Sequence, residues 1–252
     1  MISLTTDIAR LFRSKRLYLA IILGQILLLH SAFDSVQSWA CYTPMQLLSI
    51  PLGISDFTPF AAILCVLPFS DSFCEDYTSG YYNNIISRVG AKKYSVNRCL
   101  SVGLGGALTM AVIMSITILF CILAAGEKES AESVIFLQNT VWGRAGLLTK
   151  YKGSAVYILR VLLAALFGAQ WALLGLFIST VLTNKYTTLI IPFVAYQVLW
   201  YLLDGTAVNP VYLLRADSEF VPSLAFAILY QLCWSIILGI LSVSGIKRRT
   251  KI

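Results

Sequence analysis

Between Arg98 and Glu127 the chain carries no charged side chain. A stretch of that length, apolar on every face, cannot be one side of a soluble amphipathic helix. It exceeds the roughly 20 residues an α-helix needs to cross about 30 Å of hydrocarbon. Comparable apolar runs begin near Leu17, Asp56, Ala155, Thr187 and Ser223. With 58% hydrophobic and 12% charged residues, against about a quarter charged in soluble domains, the chain reads as an integral membrane protein. The short alternating segments that a membrane barrel requires are missing, so the expected class is all-α.

Taken in order, Leu4, Ile8, Leu11 and Phe12 fall on one helical face, with Thr6, Asp7, Arg10, Arg13 and Ser14 opposite. That pattern predicts an interfacial amphipathic helix over 1–16. Six spans are expected over about 17–36, 56–72, 99–125, 155–182, 187–203 and 223–244, in one transmembrane domain covering 1–252. Residues 37–55, punctuated by Pro44, Pro51 and Gly53, read as an external loop, and 126–154 as an external segment holding a further interfacial helix. Ala164, Gly168 and Ala172 have the small-xxx-small spacing that admits another helix closely. Thr183–Tyr186 is too short a link for anything but an antiparallel hairpin.

Orientation follows from the basic residues. With both termini inside, Arg10, Arg13, Lys15, Arg16, Arg88, Lys92, Lys93, Arg98, Lys185, Lys247, Arg248, Arg249 and Lys251 are cytoplasmic. That is thirteen of the 19, against six elsewhere. The net charge of +7 therefore reflects topology and contact with anionic membrane lipid, not a nucleic-acid face.

Several chemistries are excluded. A single histidine, His30, rules out HExxH zinc proteases, and no GxxxxGK[ST] phosphate loop occurs, so the chain does not bind ATP in that way. The six cysteines have no paired spacing that would suggest a metal site or a disulfide framework. No catalytic constellation, metal site or bound cofactor is expected. Gln25, Thr109, Gln170, Gln197 and Gln231 lie within the apolar runs. They either hydrogen-bond between helices or line a substrate cavity.

The longest polar interruption on the inner side is 73–98, FCEDYTSGYYNNIISRVGAKKYSVNR. Glu75 and Asp76 precede Gly80, which can bend a helix. Tyr81, Tyr82, Ile85, Ile86 and Val89 then form an apolar stripe with Asn83, Asn84, Ser87 and Arg88 opposite. The run Phe73, Glu75, Gly80, Ile86, Ser87, Arg88, Lys93, Tyr94 and Arg98 resembles the cytoplasmic loop between the second and third helices of type 2 permeases of ATP-binding cassette exporters. The layout is similar as well: an amphipathic first helix, six spans, a short link between spans four and five, and a broken segment before span six. The external segment between spans three and four is longer than in the smallest members.

The resemblance implies a bacterial plasma-membrane protein with cytoplasmic termini and a coupling helix at about Gly80 to Arg88. The coupling residues would be Glu75, Gly80, Tyr81, Tyr82, Ile85, Ile86 and Arg88. The helix would dock into an ATP-binding cassette ATPase subunit, which would hold ATP and magnesium, and a second permease copy would complete a dimer. The implied cargo is amphipathic or hydrophobic, and the members most like this chain point to a peptide. The competing expectations are an ATP-independent carrier or channel, and a membrane immunity protein that sequesters such a peptide.

Overall fold

The computed structural model describes residues 4–34, 47, 48, 52, 57–124, 154–215 and 220–249. The expected interfacial helix in 126–154 and most of the 37–55 loop lie outside the described residues. The described residues are helical, with no strand among them.

The chain begins with α1 (Leu4–Arg13) and α2 (Lys15–Asp34), which meet at Ser14. Its N–H donates to the Leu11 carbonyl, and its own carbonyl accepts from Leu17. One face of α1 is buried, but Asp7 shares it with Leu11, against the expectation that Asp7 faces water. The next helix, α3 (Phe57–Val66), is shorter than the span expected over 56–72. Pro68 has no N–H to continue the ladder. The chain turns through 67–71 and resumes as α4 (Ser72–Thr78), and the Ser70 hydroxyl anchors the turn by donating to the Ala172 carbonyl at 3.0 Å.

Two glycine-bounded steps follow, α5 (Tyr81–Val89) and the long α6 (Ala91–Ala124). The α6 helix starts well before Cys99, so the expected loop 73–98 is almost wholly helical. After α7 (Ser154–Val181), Leu182 to Asn184 make the short link to α8 (Lys185–Leu202). The Asn184 side chain caps α8 by accepting from the Tyr186 N–H at 2.9 Å. A short helix, α9 (Pro210–Arg215), precedes α10 (Leu224–Arg249). Arg249 donates to the Thr180 and Val181 carbonyls, at 3.0 and 2.7 Å, and so satisfies the open end of α7.

The bundle is organised around α6 and α7, which make the most extensive contact of any helix pair. They touch backbone to backbone at Gly106 and Gly168, where a Cβ on either glycine would overlap the other's carbonyl. The close approach that Ala164, Gly168 and Ala172 suggested is therefore made within the chain, with α6 as the partner. Among the described residues, three helices are long and apolar enough to cross a membrane: α6, α7 from Val156 onward, and α10.

Candidate functional site

The site is the elbow formed by α4, α5 and the start of α6. The α4 helix closes with Ser79 N–H donating to the Glu75 carbonyl and Gly80 N–H to that of Tyr77. Gly80 then takes φ 73°, Gly90 takes φ 82°, and the chain changes direction at both. Nothing lies within 4 Å of a Cβ added to either glycine. Left-handed backbone, not lack of room, is what calls for glycine at these two joints.

The α5 helix shows the rest of the chain one face and solvent the other. Tyr82 and Ile85 are buried, and Ile86 and Val89 are half-buried beside them. The Tyr82 ring meets Phe73 edge-on at 5.6 Å and lies 5.5 Å from Tyr94, while its hydroxyl donates to the Ile246 carbonyl of α10 at 3.2 Å. Tyr81, Asn83, Asn84, Ser87 and Arg88 are exposed. The expected stripe is therefore divided. Tyr82 and Ile85 serve this chain's own core, because a short helix stays in place only by burying its apolar face. Of the coupling residues inferred from sequence, Tyr81 and Arg88 point outward.

Beneath the elbow lies a buried ion cluster. The Arg98 guanidinium of α6, with no exposed surface, hydrogen-bonds Asp76 of α4 and stands 3.7 Å from Asp7 of α1. The Tyr94 hydroxyl donates to Asp76 Oδ2 at 2.9 Å, and Arg10 reaches Asp76 Oδ1 at 3.2 Å. Arg98 also lies over the Phe69 ring, 5.4 Å from its centroid. Two arginines match two aspartates, as burial demands: an uncompensated charge there costs several kcal/mol.

Glu75, the residue after Cys74 on α4, faces the other way. It accepts from Arg16 Nη2 of α2 at 3.0 Å and from Lys185 Nζ of α8 at 3.1 Å. Arg16 also reaches Asp71 at 2.6 Å. Partial burial pulls the Glu75 carboxyl upward, but the hydrogen bonds and charges of Lys185 and Arg16 outweigh it and hold the group below its ordinary value. Adjacent carboxylates on a seven-residue helix thus gather side chains from α1, α2, α6 and α8.

Sequence reasoning singled out Glu75 and Gly80 but missed the Asp7–Asp76–Arg98 cluster. A signal was present. Asp7 stands one turn before Leu11, and Tyr94 one turn before Arg98, so each pair shares a helical face.

The polar residues of the spans separate cleanly. Gln25 donates to the Ile113 carbonyl at 2.7 Å, Gln197 to that of Pro59 at 2.7 Å, and Gln231 to that of Leu213 at 3.1 Å. Thr109 bonds back to the Gly105 carbonyl of its own helix at 2.8 Å. These four are interhelical or intrahelical ties, not lining. Gln170 alone of the five borders the cavity of about 370 Å³ among α7, α8, α9 and α10.

No family model, no curated protein and no solved structure matches this chain.

Proposed function

We propose that the chain is the membrane-spanning permease subunit of an ATP-driven exporter, with α5 as its coupling helix. In this reading α2, α3 with the turn that follows it, α6, α7, α8 and α10 are the six spans, and α4 and α5 lie on the cytoplasmic side. Both termini are cytoplasmic, and α1 lies in the inner interface. A separate ATP-binding cassette ATPase holds ATP and magnesium, a second copy of the chain completes the pore, and the cargo is an amphipathic or hydrophobic molecule, most simply a peptide.

One observation carries the reading. The α5 helix is fastened on one side to α4, α6 and α10, through Phe73, Tyr94 and the Ile246 carbonyl, while Tyr81, Asn84, Ser87 and Arg88 on its other side are exposed. The buried ion cluster ties α4 to α6 beneath that face. A chain with no phosphate-binding loop and a braced, exposed helix suits the receiving half of a two-part machine.

The test is co-expression with the ATP-binding cassette ATPase subunits of the same organism, followed by affinity purification through this chain. The wild type should retain an ATPase in stable complex. The outward double variant Asn84→Lys with Arg88→Glu should lose it, while the chain's own stability to denaturation stays within the small range of surface substitutions, about 0.5 kcal/mol. Undiminished complex formation and ATP-driven peptide export by the double variant would remove α5 from the coupling role. Tyr82→Asp and Ile85→Asp do not serve here, because both would unfold the elbow itself.

A further inference from the structure

At the joint between α1 and α2 lies a cavity of about 380 Å³, lined by Arg10, Arg13, Lys15 and Arg16 and also by Asp71 and Glu75. Both acids are already matched. Arg16 meets Asp71 at 2.6 Å and Glu75 at 3.0 Å, and Lys185 adds a second cation to Glu75 at 3.1 Å. Arg10 is spoken for as well, because together with Arg98 it balances Asp7 and Asp76. Arg13 and Lys15, on either side of Ser14, are left over. Both are exposed, and neither has an acidic partner among the described residues. The cavity therefore carries two positive charges that nothing in the described chain balances. Apolar surface adjoins it. From the first turn of α2 onward, Tyr18, Leu19, Ile22, Leu23 and Ile26 are 41–57% exposed. Tyr18, Ile22 and Ile26 recur every four residues and so form one row along the helix, with Leu19 and Leu23 as a second row beside it.

We infer that this corner is a binding site for one anionic phospholipid of the adjoining leaflet, with its phosphate between Arg13 and Lys15 and its acyl chains along the exposed rows of α2. Charge complementarity selects the occupant. An anionic headgroup meets the surplus of Arg13 and Lys15 without disturbing the pairs of Arg10 and Arg16. A zwitterionic headgroup brings an ammonium, which Arg13 and Lys15 repel and for which Asp71 and Glu75 are already taken. A free phosphate leaves the apolar rows of α2 uncovered. The inference does not depend on α5 or on any ATPase.

The experiment titrates the full chain, in a non-ionic detergent, with dioleoyl phosphatidylglycerol and counts bound lipid by native mass spectrometry. The expected result is a first lipid that saturates before further lipids attach. Arg13→Gln with Lys15→Gln should weaken that first step by about 30-fold, the equivalent of two bases beside an anionic headgroup. Both side chains are exposed and unpaired, so this double variant keeps its fold. Lys92→Gln with Arg248→Gln removes the same charge from exposed bases outside the cavity and should bind as the wild type does. Equal weakening by the two double variants would reduce the effect to general positive charge and overturn the site. Equally tight binding of dioleoyl phosphatidylcholine would overturn the selection by charge. Displacement of the first lipid by glycerol phosphate would assign the corner to a free phosphate and overturn the lipid as its occupant.

Discussion

Around Arg98, α6 meets its neighbours through buried charge, whereas about two turns later, at Gly106, it meets α7 through bare backbone. The contact at Arg98 is directional. Asp7 and Asp76 must stand on particular sides of one guanidinium, which fixes how α1 and α4 sit on α6. At Gly106 the contact has no preferred partner atom, yet it is intolerant of bulk and fixes how near α6 and α7 approach. Orientation is set at the elbow and spacing in the bundle. The two constraints occupy separate stretches of one helix.

The largest effect should come from Arg98→Leu, which leaves two buried aspartates with only the half-exposed Arg10 as countercharge, at a cost of about 3–5 kcal/mol. Denaturation in mild detergent should report that loss. Adding Asp76→Asn should recover part of it, so that the two substitutions are strongly non-additive. If the cluster is instead loose and wet, the losses will be small and will add.

Gly168→Ala probes the other contact. The new Cβ meets the Gly106 carbonyl, and overpacking of that kind costs about 1–3 kcal/mol. Gly103→Ala on α6 is the control. Its Cβ would find only Leu173 at an ordinary 3.7 Å, so it should be neutral or stabilising by up to about 1 kcal/mol. Equal effects of the two substitutions on the melting temperature would erase the distinction between crossing and surface glycines.

Smaller again is Tyr82→Phe, which removes the bond to the Ile246 carbonyl and keeps the ring. A loss of about 1 kcal/mol is expected, with no change in the outward face.

The smallest is Glu75→Gln, a partly exposed site worth under about 1 kcal/mol at neutral pH. Its sign with pH is definite. Because folding depresses the Glu75 carboxyl, its contribution is complete above the unfolded value, near 4.5, and disappears as pH falls through the lower folded value. Wild type and variant should therefore converge in acid. A gap that widens there would show that Lys185 and Arg16 do not govern this carboxylate.

Much of the architecture was legible because it rests on local pattern. The charge-free run after Arg98, the small residues around Gly168, and the glycines at 80 and 90 each act through their own helix or joint, and each leaves a mark in the sequence. The 67–71 break was half legible: Pro68 was visible, but Ser70 reaching Ala172 was not. The ion cluster was not read, because Asp7, Asp76 and Arg98 are far apart in the chain and each alone resembles a solvated residue near a helix end. The elbow's stripe was read with the right period and the wrong destination. Periodicity shows that Tyr82 and Ile85 need a partner. It does not say whether the partner is another protein or, as here, Phe73, Tyr94 and Ile246 of the same chain.

The proposed coupling role depends most directly on which face of α5 meets the cytoplasm. Asn84→Cys and Ile85→Cys, placed one at a time, can be labelled with a membrane-impermeant maleimide in inside-out and right-side-out vesicles and compared with the unsubstituted chain. Asn84→Cys should label only in inside-out vesicles and become protected when the partner ATPase is bound, while Ile85→Cys should stay unlabelled in both. Labelling of Asn84→Cys from outside, or equal labelling of the two positions, would contradict the account.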